Sequence, residues 1–173
     1  LNLGGVLYTT LAMPEGASAH AEVLRNRHTL IRKPIRTMFY ANSLLPAYVI
    51  NDALKAKALL RQELLDTYQR FDVLASPNNT TPAPLYADYT GRGSMSEELI
   101  VGLMEWLKYC GGYAMAAMPA LSVPCGFTVS EKPLPIGLEL SGPPFMEERI
   151  LQVAHAYQMA TDWHTRRAPA ALQ

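Results

Sequence analysis

The chain holds few residue sets that could do chemistry unaided. Its four histidines, His20, His28, His155 and His164, form no His-Glu-x-x-His run and no Cys-x-x-Cys partnership, so no zinc-type site is expected. Cys125 stands between Pro124 and Gly126 with no histidine nearby. It reads as a small buried hydrophobe rather than a thiolate nucleophile. Ser122 and Ser141 lack the Gly-x-Ser-x-Gly elbow that would expose a nucleophilic hydroxyl. The lysines Lys33, Lys55, Lys57, Lys108 and Lys132 adjoin no serine- and glycine-rich loop. Gly4-Gly5 and Gly111-Gly112 are isolated glycine pairs, not phosphate-binding loops, and Gly91-x-Gly93 reads as a flexible loop tip. A basic cluster, Arg32, Lys33 and Arg36, reads as a solvated connector, with an anchor for a substrate oxygen as the functional alternative. His155, in mid-helix, reads as a satisfied structural histidine. The remaining possibility is a pocket between Ser76–Thr81, a polar loop at the end of a strand, and Trp106–Met118. Loops at the carboxyl ends of strands are where open α/β sheets build sites.

The elements around these residues are partly explicit. Two strands are expected close together: Ala120–Val123, ended by Pro124, and Ile136–Leu140, in which Ile136, Leu138 and Leu140 share a face. The polar stretch from Val129 to Pro133 joins them as a turn. A long helix is expected from Ala47 to Arg70, with Leu60, Leu64 and Tyr68 stacked at four-residue spacing. Another runs from Met146 to Thr161, with Ile150, Ala154, Tyr157 and Thr161 on one stripe, Leu151 alongside, and Glu147 and Glu148 in the first turn. Val6–Ala12 is β-rich and is expected to be a strand. Glu15–Leu30 is expected to be a helix capped by Ser18 and broken by Ile31–Pro34. Val73–Ala75 reads as a short strand ended by Pro77. The proline-rich stretch to Pro84 reads as a loop, and Tyr86–Ser96 as irregular. A helix through Glu97–Leu107 follows, capped by Ser94 or Ser96.

At 173 residues the chain fits one domain. Charged residues make up 17% and apolar ones 49%, which implies much covered surface. A formal net charge of zero gives no electrostatic case for nucleic acid or a membrane surface. No apolar run approaches the roughly 20 residues of a membrane span. Two cysteines make no disulfide framework, so a cytoplasmic setting is expected. The chain opens inside an apolar run and its first methionine is Met13, so a later portion of a longer protein is expected.

Four runs in order carry a resemblance. Phe71-Asp-Val-Leu-Ala-Ser-Pro77 with Thr81-Pro-Ala-Pro84 is similar to "YDVLLSPTTPTPAP". Met118–Thr128 is similar to "LPALSVPCGFT", and Leu134–Gly142 to "LPIGLQLIG". Ile150–Gln158 with Ala160–His164 is similar to "LLRVAHAYEQATDWH". These are runs of the amidase signature family, and the chain resembles its C-terminal portion, with residues 1–173 as part of one domain. The resemblance implies an α/β fold in which a mixed β-sheet is sandwiched between helices. It implies hydrolysis of an amide bond in a small molecule by a serine, a second serine in a cis peptide bond, and a lysine. No cofactor is implied. The family's serine-rich loop and lysine lie in its N-terminal half, so no catalytic residue is carried onto this chain. That half of the same protein is the expected partner, with a homodimer as a further possibility. The segment before the Met118 run lines the family's acyl pocket, here Trp106, Leu107, Lys108, Gly111 and Gly112. A glutamine-hydrolysing A-type component of a tRNA-dependent amidotransferase is the alternative. In those proteins an acidic residue of this segment holds glutamine's amino group, and no Asp or Glu lies between Glu105 and Glu131. A stand-alone hydrolase is therefore preferred, with an inactive binding module as the third reading.

Overall fold

The structure, a computed structural model, describes residues 2–83, 102 and 104–166. A helical N-terminal stretch packs on a long helix, and a three-stranded sheet follows. Helix α1 spans Gly4–Leu7, a π-helical turn spans Tyr8–Ala12, and α2 spans Met13–Ala19. The strand expected at Val6–Ala12 is thus helical. Leu7 and Leu11, four residues apart, pack on Leu60 and Leu64, and that burial overrides a local β preference. Thr9 Oγ1 donates back to Gly5 O at 3.1 Å and Val6 O at 3.0 Å, which satisfies a hydroxyl that is otherwise buried. The wide turn ends at Ala12, two residues before Pro14, whose ring and missing N–H a regular helical path accommodates poorly.

The helix expected over Glu15–Leu30 is three pieces. Helix α2 ends at Ala19 with His20 as its C-cap, α3 spans Ala21–Asn26, and a 3-10 turn covers His28–Leu30. Ser18 lies inside α2 and caps nothing. Of the expected face Ala21, Leu24 and His28, only Leu24 is buried. Helix α4, Lys33–Asn42, has no counterpart among the elements expected from sequence. It buries Met38 and Phe39 against Met13, Ala17 and Leu24. Arg32 and Lys33 are exposed. Arg36 donates to His28 O at 2.9 Å, tying α4 to the preceding turn.

Helix α5 spans Ala47–Tyr68, as its stripe predicts, and buries Leu60 and Leu64. Strand β1 is Leu74–Pro77, and helix α6 is Cys110–Met115. Strand β2 is Ala120–Phe127, β3 is Pro135–Ser141, and α7 is Glu147–Ala160. A last 3-10 turn spans Trp163–Thr165. The strand order is β1-β3-β2, with both pairings antiparallel. Pro77 is the last residue of β1, as expected, whereas Pro124 lies inside β2 and does not end its strand. Each of these strands pairs only with β3 among the described residues, so a proline's missing N–H can face the unpaired side. Past Pro124 a bulge shifts the register at Gly126, whose φ of +153° suits glycine alone.

The two faces of the sheet differ. On one, Val123 and Leu140 pack with Ile150 and Ala154 of α7, joined by Leu121, Leu138 and Tyr157. Leu151 is 57% exposed, so it sits outside this stripe, and His155 is also exposed rather than packed. On the other face lie α5 and α6, with Tyr113 and Met118 in the cluster around Leu60 and Leu64. Helices thus cover both faces, which is the sandwich expected of an α/β fold. Cys125 is half-buried. The irregular stretch Tyr86–Ser96, the caps Ser94 and Ser96 and most of the helix Glu97–Leu107 lie outside the described residues. Gly102 and residues 104–106 are helical.

Candidate functional site

The stretches that sequence reasoning paired as a pocket do meet. Thr80 Oγ1 donates to Glu105 O at 3.2 Å. With the Asn79 amide oriented by its hydrogen bonds, its nitrogen donates at 3.1 Å to both Asn78 O and Trp106 O. Cys110 Sγ lies 3.9 Å from the same amide. The loop after β1 therefore holds the segment that leads into α6. Trp106 ends the helical residues at 40% exposure, and Leu107 and Lys108, both half-buried, form the turn. Gly111 and Gly112 are buried in the first turns of α6.

Those glycines have a structural reason. A Cβ on Gly4 would lie 2.3 Å from Gly112 N, and one on Gly5 would lie 2.2 Å from Met104 O. Helix α1 thus crosses the 104–112 segment with backbone against backbone. The Gly4-Gly5 and Gly111-Gly112 pairs, isolated in sequence, belong to one contact. At the far end of α6, Arg61 of α5 donates to Ala116 O at 2.6 Å and Ala117 O at 3.1 Å. The segment is pinned by α1, α5 and the β1 loop.

The sheet face beneath it is polar, and sequence reasoning missed this. Ser76 of β1, Glu139 of β3 and Ser122 of β2 are cross-strand partners. Glu139 is 6% exposed, and burial raises its carboxyl to about 7. Glu139 Oε2 and Ser76 Oγ have no hydrogen-bond partner among the described residues. Burial also raises the Tyr113 hydroxyl. The nearby Ser76 hydroxyl offsets part of that rise, though the pair completes no hydrogen bond. Burial raises Tyr68 to about 12, and its hydroxyl donates to Ser141 Oγ at 2.8 Å. Ser141 in turn donates to Pro119 O at 2.9 Å. Burial pushes the Cys110 thiol up, away from a thiolate. The available signal was a Glu and a Ser, Glu139 and Ser141, alternating with leucines in a strand covered on both faces. Both stand where the run it resembles has Gln and Ile.

Among the described residues no group of His, Cys, Asp or Glu is placed to hold a metal ion, and no helix is long and apolar enough to cross a membrane. A groove of about 310 Å3 lies elsewhere, between α2 and the stretch after α4, lined by Pro14, Ala17, Ser18, Asn42, Ser43 and Ile50. No residue of the 106–112 segment lines it.

Residues 7–151 match the family described as Amidase. The A component of the glutamyl-tRNA(Gln) amidotransferase of Synechococcus sp. (strain JA-2-3B'a(2-13)) is 38% identical over 117 residues, covering 68% of this chain and 21% of that protein. A solved chain from a vestigial protein complex, tied to the origins of an s-triazine catabolic enzyme, superposes with a TM-score of 0.76. It is 17% identical, over 95% of this chain and 35% of that one. A bacterial aryl acylamidase of the amidase signature family superposes at 0.70 and 15% identity, over 92% of this chain and 34% of that one. These likenesses show the fold. The chain spans about a fifth of the length of the first of these relatives. On the match across most of its residues, the chain belongs to the amidase family.

Proposed function

We propose that residues 1–173 form the C-terminal portion of a single amidase domain. The whole polypeptide is then a serine-dependent hydrolase of the Ser–cis-Ser–Lys type, acting on the amide bond of a small molecule. Its catalytic residues lie outside this chain. Here Trp106, Leu107, Lys108, Gly111 and Gly112 form one wall of the substrate pocket. The observation that carries this reading is the family match over residues 7–151, on a fold in which that wall is held by α1 and the β1 loop. A wall fixed by backbone contacts holds the substrate's acyl part still while a nucleophile on another element attacks, which is where much of the rate of such reactions originates. The reading places the protein in the cytoplasm, in keeping with free Cys110 and Cys125, and admits a homodimer.

A second reading, the glutamine-hydrolysing A-type component of a tRNA-dependent amidotransferase, is favoured by the names of the curated relatives. Against it, residues 106–130 contain no carboxylate to hold glutamine's ammonium.

Trp106 is substantially exposed, so Trp106→Ala should leave folding intact. In the intact protein we expect it to raise KM for benzamide by about tenfold with kcat little changed, the signature of lost uniform binding. An unchanged KM across a series of amides would remove this segment from the pocket.

A further inference from the structure

The row Ser76–Glu139–Ser122 runs from the interior to the surface. Ser76 and Glu139 are buried, at 8% and 6% exposure, whereas Ser122 is exposed at the β2 side. At that open end Asn78 Nδ2 donates to Ser122 Oγ at 3.3 Å. Gly137 lets these two side chains close over its backbone, since a Cβ there would stand 2.9 Å from Ser122 Oγ and 3.2 Å from Asn78 Cβ. At the closed end, Glu139 Oε2 and Ser76 Oγ are the buried side-chain oxygens without a partner among the described residues. Such oxygens give up their water for nothing unless a ligand supplies hydrogen bonds.

The surroundings define that ligand. Among the described residues, Tyr68 of α5 and Cys110 and Tyr113 of α6 are the titratable groups close enough to sense the Glu139 charge. All three are held in their neutral forms by burial, and no ion pair reaches Glu139 among the described residues. Burial, which raises the Glu139 carboxyl to about 7, keeps the neutral form populated near neutral pH. A neutral carboxyl offers one O–H donor and one acceptor, and the Ser76 hydroxyl offers both as well. A carboxamide or ureido group matches this set, with its C=O taking the carboxyl proton and its N–H groups reaching Glu139 and Ser76. An ammonium, with three donors and no acceptor, does not.

We propose that the Ser76–Glu139–Ser122 row recognises a second carboxamide-type group on the substrate, a neutral N–H/C=O pair distinct from the bond that is cleaved. The substrate role rests on the amide-hydrolase reading, whereas binding to the row does not.

The test compares succinamide, butyramide and 4-aminobutyramide with the intact protein. Wild type should favour succinamide over butyramide by about tenfold or more in kcat/KM, the scale at which a site built for a polar group rejects the analogue lacking it. Glu139→Leu should abolish the preference and Glu139→Gln, which keeps a donor and an acceptor, should retain it. Ser122→Ala, at the exposed end where folding is not at risk, should lower it severalfold. Equal values for succinamide and butyramide in wild type overturn the proposal, as does a preference that survives Glu139→Leu or a switch to 4-aminobutyramide. If no amide is cleaved, the hydrolase reading fails and binding decides. Succinamide should then raise the Tm of wild type and Glu139→Gln but not of Glu139→Leu. No shift in wild type overturns the proposal.

Discussion

Replacing Gly5 with alanine is expected to destabilise the protein by about 3 kcal/mol, at the upper end of what overpacking usually costs. The added Cβ would stand 2.2 Å from Met104 O and 2.6 Å from Met104 Cα. Both are backbone atoms, so no rotamer change relieves the clash, and α1 must move off the segment it crosses. Alanine's better helix propensity returns only about 1 kcal/mol, so the clash decides the sign. Two other glycines calibrate the result. A Cβ on Gly16 meets only the Phe39 ring, 2.8 Å away at Cε1, and that side chain can turn. A Cβ on Gly102, which is helical, meets nothing within 4 Å, so Gly102→Ala should be neutral or slightly stabilising. Urea unfolding midpoints rank the three. A Gly5→Ala protein as stable as wild type would show that α1 does not pack on this segment.

The second large effect is a pH dependence carried by Glu139. Burial raises its carboxyl from 4.5 to about 7 in the folded protein. The folded state therefore holds a proton that the unfolded chain has lost between those values. Stability from this group is fully present below about 4.5 and is lost as pH rises through about 7. The shift corresponds to about 3 kcal/mol. Glu139→Gln carries no titrating group, so its stability relative to wild type should grow by about that amount between pH 4.5 and pH 8. Tyr68, Tyr113 and Cys110 are raised as well, away from this window, and do not mask it. Parallel stability curves for the two proteins would place Glu139 in contact with water.

What could be read from the sequence was whatever depends on one element and its own stripe. Leu60 and Leu64 on α5, and Ile150 and Ala154 on α7, announce buried faces by four-residue spacing, and the structure buries all four. The strand pair around Leu121 and Leu140 was legible from its bounding turns, although Pro124 proved compatible with an unpaired strand side. What failed depends on a second element. Val6–Ala12 looks like a strand until Leu7 and Leu11 meet Leu60 and Leu64. Gly4 and Gly5 are only an isolated pair until Gly112 and Met104 lie against them. Glu139 alternates with the Ile136, Leu138 and Leu140 face, and nothing in its own strand signals that α5 and α6 bury the opposite face. Of the site, the meeting of the Ser76–Thr81 loop with the segment at Trp106 was legible, because both flank expected elements. The carboxyl beneath it was not.

The proposed hydrolysis of a small amide is tested most directly by ammonia release from the intact protein. Butyramide and benzamide should each yield ammonia, with kcat/KM above that for glutamine and with no added partner protein. Hydrolysis of glutamine alone, dependent on partner proteins, would contradict that account and establish the amidotransferase reading, and no ammonia from any amide would remove both.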